Sequence, residues 1–184
     1  MNWKPIMRLL CHQREDRTYK VCNEYLVVCS RCLGIYAGFL FSVIILFLIY
    51  GFSAKSASLL YPFLLILPMG VDGVTQAAAL RQSKNWLRFI TGYLAGAGTA
   101  YLLYFVISIL FAKGAQPATS GLELLPMLAL LPVFLFALEK SQGSDKILLK
   151  KFFNFVSIFT AAFLLASIVA IYSVILIRFF ARVL

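Results

Sequence analysis

Charge is scarce in this sequence, and negative charge is scarcest. Of 184 residues, 13% are Asp, Glu, Lys or Arg, about half the share usual in soluble domains, and only 7 are acidic. There is a single histidine, His12, which narrows the choice of general acid or base. No HExxH, GxSxG or P-loop pattern occurs, so the corresponding metalloprotease, hydrolase and NTPase signatures are absent. No RNA- or DNA-binding motif accompanies the net charge of +10, and nucleic acid is not an expected partner. The first 32 residues hold no apolar h-region. A cleavable signal peptide is therefore not expected, and the first apolar helix must itself direct insertion.

What the sequence has in quantity is apolar side chains: 62% of residues, with a mean hydropathy of +0.90. This composition belongs in a bilayer. A helix needs roughly 20 apolar residues to cross one, at 1.5 Å rise per residue. Five segments qualify, at about 33–52, 57–80, 86–112, 121–138 and 152–177. The second is interrupted by Pro62, Pro68 and Gly70; the fourth, with Pro126 and Pro132, is the shortest. The expected fold is all-α: one polytopic integral membrane domain over 1–184, with a Cys/His-containing segment at 1–32.

Basic residues set the orientation. Taken in order, the segments outside the spans carry 6, 1, 3, 1, 4 and 2 Lys or Arg. The alternation matches cytoplasmic placement of residues 1–32 and an outside C-terminal end, in a cytoplasmic (inner) membrane, with thirteen basic residues inside and four outside. The net positive charge is thus explained by topology and by anionic lipid headgroups. Gly34 and Gly38 in the first span, and Gly92 and Gly96 in the third, are spaced as GxxxG, which lets helix backbones approach closely in lipid.

Chemistry is concentrated at the start of the chain. All four cysteines and His12 lie between Cys11 and Cys32. Cytoplasmic thiols are normally reduced, so a structural disulfide is not expected. Cys29 and Cys32 form a CxxC, and Cys11 and His12 lie about 17 residues earlier. Three thiolates and an imidazole make a closed tetrahedral zinc site. The preferred set is Cys11, Cys29 and Cys32, completed by His12 or Cys22. Both His12 and Cys11 can reach one metal only if the backbone turns between them. A redox dithiol at Cys29 and Cys32, or inert thiols, are the alternatives.

A second cluster lies in the membrane. Asp72 falls in the inner half of the second span, where an acid costs about 2.5–3.5 kcal/mol on insertion scales and therefore has a partner or a task. Pro68, Gly70 and Gly73 predict local unwinding there. Gln76 shares a helix face with Asp72, and Thr75 is beside them. The next loop is short, so the second and third spans are antiparallel neighbours. Asn85, Arg88 and Thr91 share one face of the third, and Arg88 is expected to meet Asp72 or Gln76. Alternatively Arg31, Arg81 and Arg88 converge on an anionic group, since guanidinium suits phosphate and carboxylate; or Arg88 merely snorkels to the interface.

The pattern Cys11-His12-Gln13, then Cys29-Ser30-Arg31-Cys32-Leu33-Gly34-Ile35-Tyr36-Ala37-Gly38, resembles the CHQ and CxRCxGIYxG signatures of an uncharacterised prokaryotic membrane family, domain of unknown function 2085. The likeness continues through Asp72-Gly73-Val74-Thr75-Gln76 and Arg81, Ser83, Asn85, Arg88, Thr91 and Gly92, covering roughly residues 8–98. It implies no activity. It groups Gln13, Arg31, Tyr36, Asp72, Gln76, Arg81, Asn85 and Arg88 with the metal candidates, and leaves Cys22 outside the signature. Three functions compete: a zinc–thiolate site beside a polar cluster that binds an anionic small molecule or lipid headgroup; a thiol oxidoreductase passing electrons from Cys29 and Cys32 to a quinone; and a non-catalytic scaffold with structural zinc.

The charge alternation makes a direct prediction. A reporter active only outside the cytoplasm, fused after Leu184, gives signal, and a cytoplasmic reporter fused there is silent. The reverse pair of results means an even number of spans.

Overall fold

The computed structural model describes Arg8 and residues 11–21, 23–50, 59–111, 121–141 and 147–183, with the backbone alone over 108–111 and 175–183. Cys22, Lys4, Lys55, Lys113 and Lys146, and the span ends expected at 51–52, 57–58 and 112, lie outside the described residues.

Five helices are long and apolar enough to cross a membrane: α1 (Ser30–Tyr50), α2 (Leu60–Ala77), α3 (Asn85–Phe111), α4 (Leu124–Ser141) and α5 (Ile147–Val183). α1 begins three residues before the expected start, because the Cys29 carbonyl already accepts the Leu33 N–H at 2.9 Å. That shift places Arg31 and Cys32 in its first turn. α4 keeps its expected length but moves three residues onward. Gly121, at φ +79°, turns the chain ahead of it and accepts the Leu124 N–H at 3.1 Å. α5 starts at Ile147, five residues early, since Ile147-Leu148-Leu149 continue the apolar run. α2 does not unwind: it stays helical through Pro68, Gly70 and Gly73 to Ala77. A proline removes one i→i−4 bond, and here the bonds on either side carry the helix past it.

α1 and α3 form the centre of the bundle; 44% and 56% of their spanning windows are buried, against 11% for α2. Glycines make that contact possible. A Cβ on Gly34 or Gly38 would fall within 3 Å of the Phe89 or Tyr93 backbone, and one on Gly92 or Gly96 within 3 Å of the Arg31 or Ile35 backbone. The two GxxxG pairs thus face each other, and the helices pack backbone on backbone. α2 leans on α3, where Gly98 receives Pro62 and Ile66; α4 and α5 pack on α1. Large apolar side chains that remain exposed, such as Leu48, Phe63, Leu67, Val133, Phe136 and Phe155, form the outer surface of the helices. In water this surface would be a liability; against acyl chains it is the required one.

The segment before α1 is a folded cap. A 3-10 turn at Glu15–Arg17 leads into a two-residue hairpin, β1 (Lys20–Val21) with β2 (Glu24–Tyr25), paired antiparallel with Asn23 at φ +58°. This is the one departure from all-α structure among the described residues. Cys11, Tyr19, Val21, Leu26 and Val28 are buried in the same cluster as Leu33, Tyr36, Phe89, Tyr93, Leu138 and Phe153. The Asn154 side chain accepts the Val27 N–H at 3.1 Å, and Lys150 pairs with Glu24. The cap therefore sits on the bundle end formed by the starts of α1, α3 and α5 and the ends of α2 and α4.

The glycine contact makes a prediction with an internal control. Gly38→Val forces α1 and α3 apart and lowers stability by about 1–3 kcal/mol, as overpacking does. Gly73→Ala has open space around it, and unfolds at the wild-type temperature or above. Thermal unfolding in detergent reads both; equal losses would contradict the packing.

Candidate functional site

Cys11 is buried, and its sulfur lies with those of Cys29 and Cys32 in a group whose atoms are all within 4.8 Å of one another. Three local features produce the group. Gln13 adopts a left-handed φ of +47° and donates its side-chain amide to the Val27 carbonyl at 2.9 Å, folding the Cys11 turn against the strand that leads to Cys29. Cys29, just before α1, and Cys32, three residues on in its first turn, bring their sulfurs to the same group. The Ser30 hydroxyl, fully buried, donates to the Arg17 carbonyl at 2.9 Å and ties that start to the cap.

Of the three sulfurs, that of Cys11 is the one presented as an anion. The Cys29 backbone N–H donates to Cys11 Sγ at 3.2 Å, and the Gln13 backbone N–H also bears on that sulfur. Hydrogen bonds from the Cys29 and Cys32 side chains hold the Cys11 thiol far below its usual range, with burial opposing. Cys29 is pushed up, chiefly because its thiol donates a hydrogen bond to Cys11 and so keeps its proton, with burial and the Cys11 charge adding to the shift. Such crowding is relieved when a cation sits among the thiolates. The three cysteines can therefore hold a metal ion. His12 is exposed and stands outside the three-sulfur group. The turn at Gln13 buries Cys11 and leaves its neighbour facing out. His12 does line a cavity of about 430 Å³ that opens beside Cys11 and also meets Arg8, Glu15 and Tyr25. Tyr36, one turn beyond Cys32, is buried within electrostatic reach of all three sulfurs.

The second cluster surrounds Asp72, which is 1% exposed. Arg31 of α1 pairs with its Oδ2, Arg81 donates to its Oδ1 at 2.8 Å, and Gln76 donates to Oδ2 at 2.7 Å. Arg81 also donates to the Thr75 hydroxyl at 3.2 Å. Of the two partners expected for Arg88, it meets Gln76 and not Asp72. Both carboxylate oxygens are already taken, and Gln76, one turn along α2, intervenes; its Oε1 accepts from Arg88 at 3.3 Å. Arg88 also reaches Asn85 Oδ1 at 3.4 Å. The candidates thus fall into two groups: Cys11, Cys29 and Cys32 with Gln13 and Tyr36 around them, and Arg31, Asp72, Gln76, Arg81, Asn85 and Arg88. Arg31 stands between Cys29 and Cys32 in sequence and joins the two.

Two features escaped the sequence reading. Arg17, counted there only as a topology charge, comes from the cap with a buried Nε; nothing in its local pattern distinguishes it from Arg14. Glu123, 2% exposed, accepts from the Tyr50 hydroxyl at 2.8 Å at the opposite end of the bundle. An acid alone in an apolar run is itself a signal.

The pattern has relatives. The family model described as "Predicted membrane protein (DUF2085)" matches residues 11–102, half of the chain and both clusters. The chain belongs to this family. Among its relatives, the "Uncharacterized protein MJ1492" of Methanocaldococcus jannaschii is 37% identical over 111 residues, covering 58% of this chain and 67% of the relative. An "Uncharacterized protein" of Methanothermobacter thermautotrophicus is 42% identical over 95 residues, covering 52% and 85%. No solved structure matches. The DUF2085 match ends within α3, so the Cys11–Cys32 cap and the Asp72 cluster lie inside the family region, whereas α4 and α5 lie beyond it.

The observed pairing predicts how mutations couple. Asp72→Asn takes the carboxylate from Arg31 and Arg81. It destabilises by less than the cost of breaking a fully buried pair, about 3–5 kcal/mol, because these side chains keep 27% and 44% of their surface. Adding Arg31→Gln recovers part of that loss, whereas adding Arg88→Gln does not. A double-mutant cycle on detergent-purified protein checks this; stronger coupling of Asp72 to Arg88 than to Arg31 would contradict it.

Proposed function

We propose that this DUF2085 member is a cytoplasmic-membrane protein whose cap carries zinc on Cys11, Cys29 and Cys32, beside an arginine cluster that receives an anionic ligand. The observation that carries the reading is the group of three sulfurs within 4.8 Å, with a backbone N–H already aimed at one of them. Backbone donors to sulfur are the outer support that thiolate metal sites use. The ligand types are soft enough for zinc and unsuited to magnesium or calcium. A fourth position is open to His12 or Glu15 on the wall of the adjoining cavity, or to water. Cytoplasmic placement of the cap is supported by the gathering of Arg14, Arg17, Lys20, Arg81, Lys84, Lys140, Lys150 and Lys151 at one end of the bundle. Anion binding is supported by four arginines, Arg17, Arg31, Arg81 and Arg88, meeting at that same end. The bilayer and this ligand are the proposed partners.

Protein purified under reducing conditions carries about one zinc per chain, bound through thiolates. Cys29→Ser or Cys32→Ser releases it, and Cys11→Ser does the same; Cys22→Ser retains it. Elemental analysis of each variant is the check. Protein that stays metal-free while its Cys29 and Cys32 thiols cycle to a disulfide would instead support dithiol redox chemistry.

A further inference from the structure

Arg88 carries a charge that no carboxylate among the described residues neutralises. Its side chain is 8% exposed. Its partners, the Gln76 and Asn85 amide oxygens, are neutral and sit at 3.3 and 3.4 Å. Its Nε is buried with no acceptor. Gln76 bridges it to the Asp72 carboxylate that Arg31 also holds, so the nearest carboxylate is already taken by other cations. Arg31, paired with Asp72, and Arg17, whose carbonyl accepts from the Ser30 hydroxyl at the α1 start, share one part of this pattern. Each has a buried Nε with no hydrogen-bond acceptor, although Asp16 lies 3.5 Å from Arg17 Nε. Three guanidiniums therefore gather from the cap, α1 and α3, with their inner N–H groups unmet. Burying the Arg88 charge without a carboxylate is unfavourable unless a counter-ion completes it.

We propose that Arg17, Arg31 and Arg88 form a seat for a phosphate group, carried by a soluble phosphate compound or by a phospholipid headgroup. This deepens the anion-binding half of the proposed function and does not depend on the metal. A carboxylate offers two coplanar oxygens, and Asp72 shows how two arginines already saturate one. Three arginines approaching from three elements match the several oxygens of a tetrahedral phosphate better. Asp72 holds Arg31 from the side, so that its remaining N–H groups are positioned rather than free. Arg17 and Arg31 keep 38% and 27% of their side-chain surface, which leaves a way in from the cap side.

The test uses the full-length protein, delipidated in nonionic detergent, with inorganic phosphate as the soluble probe. A second arm uses phosphatidylcholine nanodiscs with and without phosphatidic acid. Thermal stabilisation is expected in at least one arm: with inorganic phosphate if the ligand is soluble, with phosphatidic acid alone if it is a headgroup. Arg17→Gln and Arg88→Lys each weaken the apparent affinity by about tenfold or more, since each loses a fork of charge-assisted bonds. Lys140→Gln, away from the seat, leaves it unchanged. Should Arg88→Lys fail to fold, Arg17→Gln on the cap carries the comparison. No stabilisation in either arm, or a folded Arg17 or Arg88 variant that binds as wild type does, overturns the seat. Zinc measured on the same samples separates the two readings: phosphate binding without zinc keeps the seat and removes the metal, and the converse removes the seat alone.

Discussion

The backbone-to-backbone contact of α1 with α3 governs the rest of the molecule. Because Gly34 and Gly38 meet the Phe89 and Tyr93 backbone, and Gly92 and Gly96 meet that of Arg31 and Ile35, the first turns of the two helices are locked in register. Arg31 is thereby set against the first turns of α3, close to Arg88, and Cys32 is carried to the bundle end where the cap folds over it. A wider helix spacing would separate the arginines from Asp72 and the α1 cysteines from Cys11. Small residues at this interface are thus a condition for the site as well as for the fold.

Electrostatics follows from that register. Asp72 is the negative hub of a strongly basic end, and it is placed where a bare carboxylate would be costly. Its pairing with Arg31 and Arg81 leaves Arg88 to neutral amides. On the other side of Arg31, three sulfurs crowd together with one strongly favoured to ionise. A cation among the sulfurs would fix Cys29 and Cys32, hence the first turn of α1, hence Arg31. This gives a physical route by which occupancy of one cluster bears on the other.

Much of this was legible in the sequence because bilayers impose simple rules. Length and hydropathy located all five helices, and GxxxG spacing located the central contact. The spacing of Cys11, Cys29 and Cys32 anticipated the sulfur group, and an acid in an apolar span marked Asp72. What was not legible depended on side-chain reach. Several arginines lay within reach of Asp72, and only the three-dimensional register shows that Arg31 and Arg81 take its oxygens while Gln76 shields Arg88. Pro68 and Gly70 suggested unwinding, yet the neighbouring helical bonds hold. The fate of His12 turned on one left-handed residue, Gln13, which local sequence does not announce. Arg17 was hidden for a similar reason: its role comes from the fold of the cap, not from its neighbours in the chain.

X-ray absorption at the zinc edge, on protein purified under reducing conditions, bears most directly on the thiolate centre. The account predicts a shell of three sulfurs at about 2.3 Å and one nitrogen or oxygen at about 2.0–2.1 Å. A spectrum with only nitrogen and oxygen neighbours, or no bound zinc to measure, would contradict it.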